Sequence, residues 1–319
     1  MDPCRSSHRG IRRRGFLGAW AALQLCPWFS SAEEVTRPAA VIVVFGSGVE
    51  AYLEAMTGLR AGLARLVPSP VFIDLKSHQA EMTLTGALAT GQQRLVITVG
   101  AEALTTVVSR GGDAVIISTM IVRSDRTRGP LAAPGMPRPL AVYLDVPLAS
   151  LLSELRMLLP GKNRFGMIRN SSRDEPDPSQ PARAKQQGFT LHAVECSRPE
   201  DLVKSFLSLK GKTDFVVVLP DSSLYNNTTV RPLILASLES RLPIVGFSSS
   251  FVRAGAALGI YPDFQDVGSQ TADIVQKLIS GKTGMADEGP RKLQVAVNQR
   301  VVRLLGLQYN EAPGLVVFR

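Results

Sequence analysis

Between residues 215 and 282 the chain repeats one local pattern, a short apolar run that empties into a small polar loop. The run 215–219 (FVVVL) ends in Pro220-Asp221-Ser222-Ser223, and the run 244–247 (IVGF) ends in Ser248-Ser249-Ser250. A further run follows a Gly/Ala-rich turn, closes at Tyr261-Pro262-Asp263 and leads into a helix stopped by Gly281. Apolar runs of this length without alternation mark strands buried on both faces, as in parallel sheets covered by helices. Loops at the C-terminal ends of such strands are where open α/β sheets bind ligands. None of these loops carries a phosphate cradle or a nucleophile beside a base.

The same rhythm starts at residue 40. The run 40–45 (AVIVVF) reads as a strand, Gly46-Ser47-Gly48 as a turn in which Ser47 can cap the next helix. In that helix Val49, Tyr52, Leu53, Met56, Leu59, Leu63 and Leu66 fall on one face, and Pro68 stops it. Strands follow at 71–75, 95–99 and 114–118, with helices between them. Residues 123–139 hold four Pro and two Gly with no apolar period, a surface loop near a crossover. A second βα series then runs through a strand at 140–144, a leucine-rich helix at 147–159 and strands at 164–169, 189–195 and 215–219. Two similar βα sets joined by a crossing segment predict an α/β protein of two lobes with a cleft between them.

Residues 1–32 stand apart. Arg9, Arg12, Arg13 and Arg14 precede an apolar segment at 16–29 and a small-residue site, Ser30-Ser31-Ala32, which together read as a cleavable signal peptide. The apolar segment is shorter than the roughly 20 residues a spanning helix needs. Arg13-Arg14-Gly15-Phe16-Leu17 resembles the twin-arginine export motif, and an ordinary arginine-rich leader produces the same pair. Leu25 is too large for lipoprotein cleavage before Cys26, so no lipid anchor is expected. After this leader the chain keeps Cys196 alone and therefore no internal disulfide. It also keeps 31 basic and 26 acidic residues, scattered and not interleaved with aromatics, which gives nucleic-acid binding no support. His78 and His192 lack zinc spacing. No catalytic residue, metal or cofactor is expected.

A cleft that captures a polar metabolite needs backbone and hydroxyl donors at strand ends, a charged partner and often an aromatic wall. The strand-end loops supply Ser47; Gly100, Ala101 and Glu102; Thr119; Asn170 and Ser171; Asp221 and Ser222; Phe247 and Ser248; and Tyr261. Asp221 either receives a ligand ammonium or caps the next helix. The helix starts at Ser47, Ala101 and Ser171 either bind a carboxylate or are capped in the ordinary way. Phe247 and Tyr261 either wall the pocket or fill the space between lobes. Glu102 suits the first turn of its helix in any case.

The segments 147–169 and 220–307, the latter including VAVNQRVVRLLGL at 295–307, resemble the substrate-binding component of a bacterial ABC uptake system. More narrowly, they resemble the type I periplasmic-binding-protein branch that includes aromatic-amino-acid binders. The resemblance implies two Rossmann-like lobes with parallel sheets, lobe one at 39–138 plus 248–319 and lobe two at 139–247. It implies a monomeric periplasmic protein that closes on a small, amino-acid-like molecule and delivers it to an inner-membrane ABC permease. A sensor that passes closure to a membrane signalling partner keeps the same fold. The chain departs from the family pattern at Gly46-Ser47-Gly48, where a histidine or another larger polar residue is common. It departs again at Thr119-Met120-Ile121-Val122, where a Thr-Asp-Pro-like turn is common.

Overall fold

The computed structural model describes residues 40–89, 94–126, 138–171, 177–221, 223–312 and 314–319, all within the unit Val35–Arg319. The expected leader at 1–32 and Ser222 lie outside the described residues.

The first βα series makes a five-stranded parallel sheet of order β2-β1-β3-β4-β5. Its strands are β1 (Ala40–Phe45), β2 (Val71–Asp74), β3 (Arg94–Val99), β4 (Val115–Ile121) and β5 (Leu140–Tyr143). Helices α1 (Glu50–Leu63), α2 (Ala80–Ala89), α3 (Ala101–Val108) and the short α4 (Arg123–Arg126) connect them. The apolar run of β1 serves two cores at once. Val41, Val43 and Phe45 enter a cluster with α1, while Ile42 and Val44 enter another with Leu84 and Leu104. That two-sided burial is why the run shows no alternation.

The second series builds a seven-stranded sheet of order β12-β11-β10-β9-β8-β6-β7. It comprises β6 (Arg164–Arg169), β7 (Thr190–Glu195), β8 (Phe215–Val217), β9 (Ile244–Gly246), β10 (Leu258–Pro262), β11 (Leu293–Asn298) and β12 (Val316–Phe318). Its helices are α5 (Leu148–Leu158), α6 (Gln180–Gln186), α7 (Leu202–Leu207), α8 (Val230–Ser240), α9 (Ser249–Ala254), α10 (Phe264–Ile279) and α11 (Gln299–Leu305). All pairings are parallel except β10 with β11. The leucines of α5 point inward as expected, with Leu151, Leu152, Leu155 and Leu158 buried against Phe165 and Phe215.

The strands divide between the sheets differently from the expected lobe boundaries. The segment at 140–144 belongs with the first sheet, because β5 takes up the open edge of β4 from Ile117↔Leu140 onward. β10, β11 and β12 belong with the second sheet, β10 through its pairing with β9 at Leu258↔Val245. Of the C-terminal part, α10 and the bridge from Glu288 to Val142 return to the first sheet. An apolar run is the same on either sheet, so its composition does not say which edge it joins. The chain thus crosses between sheets at 144–147, at Asp263 and at 289–292.

α10 returns so closely that α1 meets it backbone to backbone. A Cβ built at Gly58 would stand 1.9 Å from the Gln265 carbonyl oxygen, and one at Gly268 1.9 Å from that of Ala55. This contact selects which face of α1 is buried: Ala55, Met56, Leu59 and Leu63, with Val49 and Leu53 left exposed contrary to the expected stripe. A polar seam ties α10 to the third crossing. Asp266, 9% exposed, meets Arg291 Nε at 3.3 Å and Lys292 Nζ at 3.2 Å. Gln270 donates to Glu288 at 2.7 Å and to the Gly289 carbonyl at 2.9 Å.

Candidate functional site

The C-terminal ends of the strands form two rims. On the first sheet, Asp74 Oδ1 accepts from the backbone N–H groups of Ser47 and Lys76, each at 3.0 Å. Burial opposes ionisation of Asp74, yet the bonds from Ser47 and Lys76 outweigh it and hold the carboxyl below its usual range. Lys76 Nζ then meets Glu102 at 3.2 Å. Ser47 does not cap α1: the N-cap position is Val49, without a side-chain bond, and the Ser47 turn is pinned to β2 instead. Gly100 starts α3 with φ of 91°, a conformation that favours glycine, and a Cβ there would lie 2.5 Å from the Tyr52 ring. Tyr52 therefore roofs the helix start at Gly100 and Ala101.

On the second sheet, Asn170 at the end of β6 donates to Asp221 Oδ2 at 3.0 Å and to Ser223 Oγ at 2.8 Å. Asp221 Oδ1 accepts from the Ser223 N–H at 2.8 Å, the Ser223 hydroxyl at 2.5 Å and the Leu224 N–H at 3.4 Å. Asp221 thus caps its own turn, not a helix; α8 begins only at Val230. Ser171 follows exposed. Beneath this loop Tyr225 packs on Phe247 and Phe251, with ring centroids 6.1 Å away in each case. Burial first, and then the charge of Asp221, push the Tyr225 phenol far above its usual value, so it stays protonated. Its hydroxyl has no hydrogen-bond partner among the described residues. Ser248 caps α9, accepting from the Phe251 N–H at 3.2 Å.

Two expected contacts belong to the core instead. Thr119 is fully buried, and its hydroxyl accepts from Thr271 of α10 at 3.0 Å, sewing that helix to the sheet. Tyr261 is 3% exposed and stacks on Phe264 at 6.0 Å in the cluster shared with α1. Thr119 lies two residues inside the end of β4 and Tyr261 one inside the end of β10, and both are buried.

The sheets meet where sequence gave no sign of it. Glu50 of α1 pairs with Arg253 of α9 at 3.1 Å, 203 positions away. Glu54, four residues on, shares that face of α1. Burial, and then Glu50 and Asp263, hold the Glu54 carboxyl above its usual range, with Arg253 opposing them. A carboxyl whose folded pKa is raised costs stability above that pKa, and the cost disappears as pH falls toward its ordinary value near 4.5. Glu54→Gln is therefore expected to raise Tm at pH 7, with the gain shrinking at acid pH. Melts of both proteins between pH 7 and 4 check it, and an equal gain at every pH would contradict it.

Cavities of about 500, 670 and 250 Å3 lie elsewhere, and none is lined by a candidate residue. Among the described residues no three His, Cys, Asp or Glu gather to hold a metal, and no helix is long and apolar enough to cross a membrane. What the rims offer is backbone and hydroxyl donors, fixed carboxylates and aromatic faces on two sheets joined by three crossings.

Residues 146–314 match the sequence family of ABC transporter substrate binding proteins. No curated protein sequence matches the chain. Among solved structures, a ligand-free, open substrate-binding protein with adhesive properties from Clostridium difficile superposes with a TM-score of 0.66 at 15% identity. That alignment covers 88% of this chain and 99% of the other. A Streptococcus pneumonia domain in complex with L-Trp gives a TM-score of 0.59 at 17% identity, covering 88% and 100%. A Vibrio cholerae conserved domain protein gives 0.59 at 16%, with the same coverage. At these identities the likeness is one of fold, and the fold is that of a type I periplasmic binding protein.

Proposed function

Because this chain belongs to the ABC transporter substrate-binding protein family, we propose that it captures a small polar molecule between its two rims in the periplasm and delivers it to an inner-membrane ABC permease. The observation that carries this reading is the presence of two strand-end rims on sheets joined by three crossings, with their polar groups held by hydrogen bonds. Such an arrangement binds by moving one rim against the other, and the ligand supplies the energy by touching both. The first rim contributes the Ser47 turn and the Gly100–Glu102 helix start; the second contributes Asn170, Ser171, the Asp221 turn, Phe247 and Ser248. Fixed dipoles and aromatic faces suit recognition rather than turnover, so the protein acts as a binding protein without catalysis or cofactor, and as a monomer.

The neighbour solved with L-Trp makes amino-acid-like ligands the first to test. A true ligand is expected to shrink the radius of gyration in small-angle scattering. It is also expected to stabilise the fold by about 2.7 kcal/mol at a hundredfold excess over Kd. Stabilisation without compaction would argue for a rigid pocket and against closure.

A further inference from the structure

Arg123 stands at the C-terminal end of β4, on the same rim as the Ser47 turn and Gly100. β4 is irregular there. Its register with β5 slips between Thr119 and Ile121, and Met120 takes φ of 58°, a region that side chains other than glycine rarely adopt. A bulge of this kind re-aims the chain that follows it. The Arg123 N–H donates to Asp145 Oδ2 at 2.8 Å, which anchors the residue to the first crossing. Its guanidinium lies 4.4 Å from the centroid of the Tyr143 ring. That ring is itself held, 3% exposed, with its hydroxyl donating to Asp287 at 3.3 Å.

Other cations at or just after strand ends meet a carboxylate: Lys76 meets Glu102, Arg169 meets Glu195 and Arg198 meets Asp201. The Arg123 guanidinium, on an exposed residue whose backbone N–H holds Asp145, pairs with no carboxylate among the described residues and lies over the Tyr143 ring instead. A guanidinium stacked on a ring keeps its edge donors open, and their fork matches carboxylate and phosphate oxygens. We propose that Arg123 recognises an oxyanion of the ligand, a carboxylate or a phosphate, and so determines the class of solute the cleft accepts. This rests on the binding reading given above.

The test uses paired probes that differ in the anionic group: L-tryptophan and its amide, L-tyrosine and its amide, succinate and succinamide, glucose 6-phosphate and glucose. Thermal shift and calorimetry are run on the wild type, Arg123→Gln and Arg123→Lys. Native mass spectrometry of each protein, purified without refolding, identifies any molecule carried through. The expected result is that the anionic member of a pair, or an anionic co-purified molecule, binds the wild type. Arg123→Gln should then weaken it roughly ten- to hundredfold, with Arg123→Lys between. The carboxylate and phosphate pairs separate the two oxyanions. Equal binding of the neutral partner, or unchanged affinity in Arg123→Gln, overturns the role of Arg123 and leaves solute binding standing. No shift with any probe and no co-purified molecule overturns the binding reading and this inference together.

Discussion

Gly268→Ala is expected to lower Tm by about 6–12 °C. The added Cβ would fall 1.9 Å from the Ala55 carbonyl oxygen and 2.8 Å from the Leu59 nitrogen, both backbone atoms that no rotamer change can move. α1 and α10 must then separate. Overpacking of that kind costs typically 1–3 kcal/mol, and a backbone collision belongs at the upper end. At roughly 2–4 °C per kcal/mol for a domain of this size, about 3 kcal/mol gives the stated loss. Gly58→Ala should behave alike, since its Cβ would meet the Gln265 carbonyl oxygen at the same distance. Gly86→Ala is the control. Nothing lies within 4 Å of a Cβ there, inside α2, so the change should stabilise by about 0.5–1 kcal/mol through helix propensity. Thermal melts of the three variants decide it. A Gly268→Ala protein that melts with the wild type would mean the two helices do not touch as described.

The contrast between those glycines shows what the sequence could and could not reveal. The βα rhythm, the buried runs and the strand-end loops follow from composition and local period, because burial on both faces removes alternation from a strand. Which glycine sits in a helix crossing does not follow, since Gly58, Gly86 and Gly268 all look alike within helical patterns. Strand membership failed for a related reason: β5 and β10 are apolar runs whose sheet is chosen by an open edge far away in the chain. Thr119 and Tyr261 close apolar runs in the sequence, which points to the rim. But β4 continues to Ile121 through the bulge at Met120 and β10 to Pro262, which leaves both inside their strands and buried. Glu50 with Arg253, and Asn170 with Asp221, are long-range pairs that no local pattern marks. The loops were legible; their internal wiring was not.

That wiring governs the second large effect, expected for Asp221→Asn. Among the described residues, the Asp221 carboxylate accepts at Oδ1 from the Ser223 N–H, the Ser223 hydroxyl and the Leu224 N–H, and at Oδ2 from Asn170. An amide must turn its NH2 toward one of these donors. If it faces Asn170, that side chain has to flip and loses its bond to Ser223; if it faces Ser223, the turn opens. Either way charge-assisted bonds are lost and a donor is left unmatched, at about 1–3 kcal/mol. Asn170→Ala removes the same contact from the other side, so the double variant should cost at least about 1 kcal/mol less than the two single losses added. Binding separates the two roles Asp221 can play. A counter-ion to a ligand ammonium would make Asp221→Asn weaken cationic or zwitterionic ligands far more than neutral ones, while Ser223→Ala, which keeps the charge, would spare them. A residue that only shapes the rim would make both variants weaken every ligand in step with their lost stability. The engagement of both carboxylate oxygens by Ser223, Leu224 and Asn170 predicts the second outcome, and calorimetry with melts on both variants measures it. A charge-selective loss of affinity in Asp221→Asn alone would return Asp221 to direct contact with the ligand.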